Sequence, residues 1–190
     1  IDSSTYEIYF TSISDVDYET QDVFYVTLSI ADDDFSNSYD LTIYLEDIND
    51  NSPVFSTETT FTYDENATTA IQHQATDLDN DTIEYLLSGS DVSSFTLDSS
   101  TGELWFNSPP DFETKTTYDL IITASDGSNS TDQSITISIN NLNDNSPEIT
   151  SSETQSVDEN QSSISTIIVT DADNDTLTLT LSGTDSSAIQ

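Results

Sequence analysis

The chain has almost no positive charge. A single Lys or Arg stands against 37 Asp and Glu residues, which gives a formal net charge of -36 at pH 7. Because phosphate groups are bound by Lys and Arg, nucleic acid and anionic membrane surfaces are disfavoured as partners. Repulsion of this size destabilises a compact state unless cations neutralise it. Carboxylates are hard oxygen ligands, so the composition predicts calcium as the first cation to consider.

Other residue types are missing too. There is no Cys, which excludes disulfides, zinc-thiolate sites and thiol nucleophiles. The only histidine, His73, leaves few schemes for acid–base catalysis or transition-metal binding, so we expect no enzyme. No apolar run approaches the ~20 residues of a membrane span. Residues 1–4 have no basic or apolar stretch, so we expect no signal peptide there.

Four sequence motifs occur twice, and the second copy always lies 94 residues after the first. The matching segments are 47–53 with 141–147, 64–66 with 158–160, 77–82 with 171–176, and 17–20 with 111–114. Four independent motifs with one common offset indicate an internal repeat of about this length.

The repeat predicts a division into three parts. Residues 53–146 form the one complete module, residues 1–52 match its second half, and residues 147–190 match its first half. Gln190 matches Thr96 and Ile1 matches Leu97, the next position. The two partial segments therefore complete each other across a seam, which is either a peptide bond in a longer array or a contact between subunits.

The pattern of short alternating segments predicts an all-β chain. Predicted strands lie near residue 54 and at 69–75, 82–87, 94–98, 103–107, 117–125 and 134–139, with a turn at 126–130 and a matching strand pair at 24–30 and 39–45. Seven short strands in a module of this length favour tandem seven-stranded Greek-key sandwiches of the immunoglobulin-like kind.

The repeated motifs resemble those of the cadherin repeat. The specific signature is Asp-x-Asn-Asp-Asn-x-Pro at a module boundary, present at 47–53 and, with Asn141 in the first place, at 141–147. A base Glu, an Asp-x-Glu and an Asp-x-Asp in each module support the resemblance. The short loop after Asp79 makes the chain more similar to prokaryotic cadherin-like domains, and it leaves open whether Asn80 or Asp81 supplies a ligand.

The resemblance implies calcium, up to three ions at each of two junctions between modules. The implied ligands of the first junction are Asp47, Asn49, Asp50 and Asn51 in the linker, and Asp17, Glu19, Glu159, Asp77, Asp79 and Asp126 in the modules. Those of the second junction are Asn141, Asn143, Asp144 and Asn145 in the linker, and Glu65, Asp111, Glu113, Asp171, Asp173 and Asp32 in the modules. Glu159 and Asp17 are expected to meet only if the seam closes.

Weaker patterns favour structural explanations. Asp77-x-Asp-x-Asp81 lacks the Gly and the final acid of an EF-hand loop. We expect His73 to be structural, and one of Trp105 and Phe106 to be core because neighbouring strand residues face opposite sides. Five N-x-Ser/Thr sites make a glycoprotein plausible, at Asn66, Asn80, Asn129, Asn160 and Asn174.

These observations predict an extracellular protein, at the cell surface or in a secreted fibre. We expect a calcium-rigidified repeat of a long filament or adhesin extender, whose partners are neighbouring identical modules. The alternatives are an adhesion module that binds itself, a cell-surface partner or a glycan, and a non-covalent polymer subunit assembled by strand complementation.

Overall fold

A computed structural model describes residues 5–69 and 71–189. The sequence expectations for residues 1–4 and for the seam at residues 190 and 1 fall outside these ranges. Within them, regular structure is confined to β-strands and three short 3₁₀ turns, at Ile13–Asp15, Val92–Ser94 and Ser186–Ala188. The predicted all-β class is confirmed. None of the helical turns in the described ranges is long and apolar enough to span a membrane.

The strands follow one another with short connections. Within the described residues they are β1 (Val23–Ala31), β2 (Ser36–Tyr44), β3 (Val54–Phe55), β4 (Thr60–Asp64), β5 (Ile71–Gln72), β6 (Ala75–Thr76), β7 (Glu84–Ser88), β8 (Phe95–Leu97), β9 (Glu103–Phe106), β10 (Thr117–Ser125), β11 (Ser130–Asn140), β12 (Glu148–Ile149) and β13 (Val169–Thr170).

Strands β3 to β11 build one sandwich. One sheet has the order β4-β11-β10-β7 and the other the order β5-β9-β8, with the short pair β3-β6 beside them. Strand β11 pairs antiparallel with β10 and parallel with β4. Both sheets contribute to one apolar core, whose most buried side chains are Leu104, Leu120, Ile122, Ala124, Ile135 and Ile137.

Alternation along the long strands explains why this core forms. In β10, Tyr118, Leu120, Ile122 and Ala124 are buried, while the residues between them face outward. This is the period of two that places every second side chain on one face of a sheet. The prediction for the aromatic pair is also confirmed, since Phe106 is buried and Trp105 is only half-buried.

Two sequence predictions for strands were incomplete. Strand β4 was missed altogether. The strand predicted at 69–75 is divided into β5 and β6, because Ile71 and Gln72 pair with β9 whereas Ala75 and Thr76 pair with β3. The backbone between them passes from one sheet to the other, which local alternation does not indicate.

Two further strand pairs flank the sandwich, one on each side in sequence. The hairpin β1-β2 lies in the first segment and the short pair β12-β13 in the last, and each is a separate two-stranded sheet. Their pairing repeats that of the sandwich. Phe24 lies opposite Ile43 as Tyr118 lies opposite Ile137, with both partners displaced by the 94-residue offset.

Candidate metal centre

The second linker, residues 141–147, brings four carboxylates together, and the first linker is residues 47–53. Glu65, Glu113, Asp144 and Asp173 each offer an oxygen, and these oxygens all lie within 4.8 Å of one another. Glu65 directly follows β4, Glu113 lies between β9 and β10, Asp144 is in the linker, and Asp173 follows β13. Residues far apart in sequence thus converge on the linker, and all four were among those implied by the resemblance.

Backbone hydrogen bonds hold two of these acids in place. Glu65 is buried, and its two oxygens accept hydrogen bonds from the N–H groups of Leu142 (2.7 Å) and Phe112 (2.9 Å). Asp173 is also buried, and its Oδ2 accepts from the N–H groups of Asp144 (3.1 Å) and Asn145 (2.8 Å). The linker is therefore tied to the sandwich on one side and to the last segment on the other.

The carboxylates of this cluster repel one another, because no positive charge neutralises them. Burial, together with the charges of Glu65 and Asp173, raises the pKa of Glu113 above its usual value. Hydrogen bonds from the Asn145 side chain and backbone lower the pKa of Asp173. The only Lys or Arg of the chain, Lys115, pairs with Asp91, so no basic side chain is left to neutralise the cluster.

The first linker has a smaller cluster of the same kind. Oxygens of Glu19, Asp50 and Asp79 lie within 4.8 Å of one another. Buried Asp79 accepts hydrogen bonds from the N–H groups of Asp50 (3.0 Å) and Asn51 (2.8 Å), as Asp173 does at the second linker. Although its own N–H lowers the pKa of Glu19, burial and the charges of Asp79 and Asp47 raise it overall.

The donor set suits a hard cation. Calcium takes about six to eight oxygen ligands at roughly 2.3–2.6 Å, from carboxylates, amide oxygens and backbone carbonyls. Near the first linker, three buried carboxylate oxygens have no hydrogen-bond partner among the described residues, and they belong to Glu19, Asp77 and Asp126. A buried carboxylate oxygen without a partner is costly, so a bound cation would satisfy these atoms.

The asparagines and remaining acids of the linkers are also engaged. Asn49 donates to the carbonyl of Asp126 at 3.4 Å, and Asn51 donates to Oδ1 of Asp79 at 2.6 Å. At the second linker, Asn141 donates to the carbonyl of Asp173 at 2.9 Å. Two triplets of acids follow strands β6 and β13. One is formed by Asp77, Asp79 and Asp81, and the other by Asp171, Asp173 and Asp175.

Some of the residues implied by the resemblance lie outside these clusters. Asp17 and Asp111 each accept hydrogen bonds from the threonine three residues later, Thr20 and Thr114, which lowers the pKa of both acids. Asp32 accepts from N–H groups in its own hairpin turn. Glu159 is exposed and belongs to no described carboxylate cluster.

The structure adds two residues that sequence reasoning did not assign, Asp175 and Asn129, and one that it left open, Asp81. Asp81 and Asp175 join the acidic triplets, and Asn143 contacts the Asp175 carboxylate. Asn129 donates to Oδ1 of Asn49 (2.9 Å) and to the carbonyl of Asn51 (3.0 Å). The signals were present, as alternating acids in one case and an Asn three residues after Asp126 in the other, but Asn129 was considered only as a glycosylation site.

The fold and the site identify the class of protein. It is an all-β sandwich module whose acidic residues cluster with those of the linkers before and after it. The family profile of the Cadherin domain matches residues 59–140. The chain thus contains a cadherin domain at residues 59–140. Cadherin domains generally bind calcium, and cadherin relatives are adhesion proteins rather than enzymes, which fits the expected absence of enzyme activity.

Sequence relatives are long proteins of which this chain matches a small part. Protocadherin Fat 1 of Homo sapiens is 36% identical over 141 residues, which is 70% of this chain and 3% of that protein. Cadherin-related family member 2 of Mus musculus is 35% identical over 168 residues, which is 80% of this chain and 13% of that protein. The chain therefore spans only a small fraction of the curated relatives it matches.

Solved structures agree on the fold. The mouse Cadherin-23 EC22-24 structure has a TM-score of 0.68 and 27% identity, covering 83% of this chain and 56% of that one. A Protocadherin Gamma B2 structure of extracellular cadherin domains 1-5 has a TM-score of 0.69 and 30% identity, covering 82% of this chain and 33% of that one.

Proposed function

We propose that this chain is a calcium-rigidified extracellular repeat of a long filament or adhesin extender. The observation that carries the proposal is the cluster of Glu65, Glu113, Asp144 and Asp173, in which carboxylates from the sandwich, the linker and the following segment lie within 4.8 Å of one another. Such a cluster ties three parts of the chain together if a cation binds there, and drives them apart if none does.

The proposed ligands follow the two linkers. At the second junction they are Glu65, Glu113, Asp144, Asp173, Asp171 and Asp175, with oxygens of Asn143 and Asn145 available beside them. At the first junction they are Glu19, Asp50, Asp77, Asp79 and Asp81, with Asp47, Asp126 and Asn49 nearby. Asp17, Asp111, Asp32 and Glu159 stay candidates for ions that need the neighbouring module in place.

Calcium would supply the positive charge that the chain lacks. The chain's own residues would hold the linker: the buried carboxylates of Asp79 and Asp173 fix the linker backbone through its N–H groups, and Glu65 fixes it from the sandwich side. Because hydrogen bonds already shape the site, an ion is expected to stiffen an existing geometry rather than create one.

Calorimetric titration of the full chain with calcium tests this function. The test variant is Glu113→Gln, which keeps the shape of the side chain but removes one carboxylate from the second cluster. Because loss of even an outer-sphere partner costs about 10–100-fold in metal affinity, loss of a direct ligand is expected to cost at least ~10-fold at that junction. The first junction, which lacks Glu113, should be unaffected.

The matched control is Glu153→Gln. Glu153 is exposed and belongs to none of the described clusters, so Glu153→Gln removes the same charge without removing a proposed ligand. It is expected to bind calcium as the unmodified chain does. A chain that takes up no calcium at millimolar concentration, or an equal loss of affinity in both variants, would contradict the proposed sites.

A further inference from the structure

The first and last described segments keep part of the strand pairing of the sandwich halves that they match in sequence. We name them the N-terminal segment, residues 5–52, and the C-terminal segment, residues 147–189. In the N-terminal segment β1-β2 has the register of β10-β11, and in the C-terminal segment β12-β13 has the register of β3-β6, each displaced by 94 residues. Each segment therefore has local structure of its own.

The faces that should form the core are uncovered in both segments. Ala124 is 0% exposed in the sandwich, whereas Ile30, at the equivalent position, is 74% exposed. Tyr85 is 7% exposed, whereas its equivalent, Leu179, is 59% exposed. Apolar side chains also lie exposed along both segments, at Val26, Ile149, Val157, Ile167 and Leu181. Apolar surface exposed on this scale marks an interaction site.

The sandwich itself indicates what covers each face. There β10 pairs with β7 and β11 pairs with β4, so that Ile122 lies opposite Leu87 and Ile139 opposite Tyr63. When these positions are displaced by 94 residues, the equivalents of β10 and β11 lie in the N-terminal segment and those of β7 and β4 lie in the C-terminal segment. Leu28 would then lie opposite Leu181, and Leu45 opposite Val157.

The first acidic cluster is incomplete in the same place. It has three carboxylates where the second has four, and the missing one corresponds to Glu65, whose equivalent is Glu159 of the C-terminal segment. Glu65 accepts hydrogen bonds from the N–H groups of Phe112 and Leu142. The equivalent N–H groups, of Tyr18 and Ile48, have no acceptor in the described part of the chain.

We propose that the C-terminal segment of one copy of this chain docks on the N-terminal segment of a second copy and completes a second sandwich. The pairing keeps the register of the central one, and Glu159 of the docked copy enters the cluster of Glu19, Asp50 and Asp79. The occupant is thus a second copy of the same unit, added head to tail. The proposal rests on the proposed repeat array and gives that array its joining surface.

Two end-blocking variants test the docking. Leu28→Asp places a charge on the inward face of the N-terminal segment, and Leu179→Asp does so on the C-terminal segment. In millimolar calcium the unmodified chain is expected to grow beyond 20.9 kDa as its concentration rises. Each variant alone should remain at that mass. Their equimolar mixture should stop at twice that mass, because one open face of each kind remains.

Matched controls place the same charge on the outward face. Thr180→Asp lies next to Leu179 and Tyr25→Asp three residues from Leu28. Their equivalents in the sandwich, Leu86 and Asp119, are exposed. Both controls should assemble like the unmodified chain, and all variants should keep the unfolding transition of the central sandwich. An unmodified chain that stays monomeric, a mixture that forms no dimer, or controls that fail to assemble would overturn the proposal.

Engineered cysteines test the register, because the chain has no Cys of its own. Ile121 lies opposite Ser88 in the sandwich, so Thr27→Cys on one copy should form a disulfide with Ser182→Cys on another. Thr178→Cys is displaced from that position by four residues, roughly 13 Å along the strand, which exceeds disulfide reach. Equal crosslinking of both pairs would contradict the register.

The docking and the calcium sites can be tested separately. The second junction lies within one chain, so calcium titration of the Leu28→Asp monomer still reports on it. Binding there without head-to-tail growth of the unmodified chain would overturn the docking alone. Growth without calcium uptake would overturn the proposed function alone.

Discussion

His73 shows how one buried polar group sets a pH dependence. Its ring is fully buried, stacks edge-on with Phe61 at 5.6 Å between ring centroids, and has Nδ1 3.4 Å from Oγ1 of Thr57. Its Nε2 has no hydrogen-bond partner among the described residues. Burial lowers the pKa of His73 to about 4. The predicted structural role fits this environment, although His73 lies between β5 and β6 rather than within a strand.

Replacement of His73 should remove part of the acid sensitivity of the sandwich. Between its unfolded pKa of about 6.5 and its folded pKa of about 4, the unfolded chain takes up a proton that the folded one does not. This contribution to the free energy of unfolding is therefore fully present above pH 6.5. It falls by up to ~3 kcal/mol as the pH drops to about 4.

The variant to compare is His73→Ile, which takes the residue found at the equivalent position, Ile167. Urea unfolding at several pH values between 7 and 4 gives the free energy of unfolding of both proteins. Because the carboxylates contribute equally to both, the difference between the two curves is the contribution of His73. Parallel stability curves across this range would show that His73 is not the cause.

At the scale of the elements, equivalent strands occupy different environments. Ile137 on β11 is fully buried, while Ile43, at the equivalent place on β2, is only half-buried because no second sheet of the described residues covers the hairpin. Burial rather than strand identity determines what a side chain contributes to stability. The same substitution at the two positions should therefore have unequal effects.

Ile137→Ala should lower the free energy of unfolding by ~2–5 kcal/mol, because it leaves a cavity in a closed core. Ile43→Ala should leave the main unfolding transition of the monomeric chain unchanged. Denaturant unfolding measures both, with the Leu28→Asp background keeping the chain monomeric. A comparable loss in the two variants would mean that the hairpin is already packed in the single chain.

Sequence patterns predicted the long strands better than the short ones. Strands β10 and β11 alternate over many residues and were found, whereas β4 has only Phe61 and Tyr63 as large apolar residues and pairs at the sheet edge through β11. The linker acids were predicted because the repeated motif resembles the cadherin linker. Glu159 belongs to no described cluster, and the docking proposed above would bring it to Glu19, Asp50 and Asp79 of a second copy.

At the scale of the whole molecule, the main feature is charge concentrated at junctions. A net charge of -36 is spread over the chain, but the clusters of close carboxylates lie at the two linkers. Repulsion there acts directly on the angle between consecutive modules, whereas charge elsewhere on the surface mostly affects solubility. Calcium concentration should therefore control stiffness more than it controls the fold of the sandwich.

The most direct test measures the width of a distance distribution across the second linker. Spin labels at Ser134→Cys on β11 and Thr178→Cys in the C-terminal segment span it, in the Leu28→Asp background that prevents assembly. In millimolar calcium we expect one narrow distance peak, and in excess chelator a broad one, with magnesium at equal ionic strength as the control for screening. An equally narrow distribution in chelator would contradict the account.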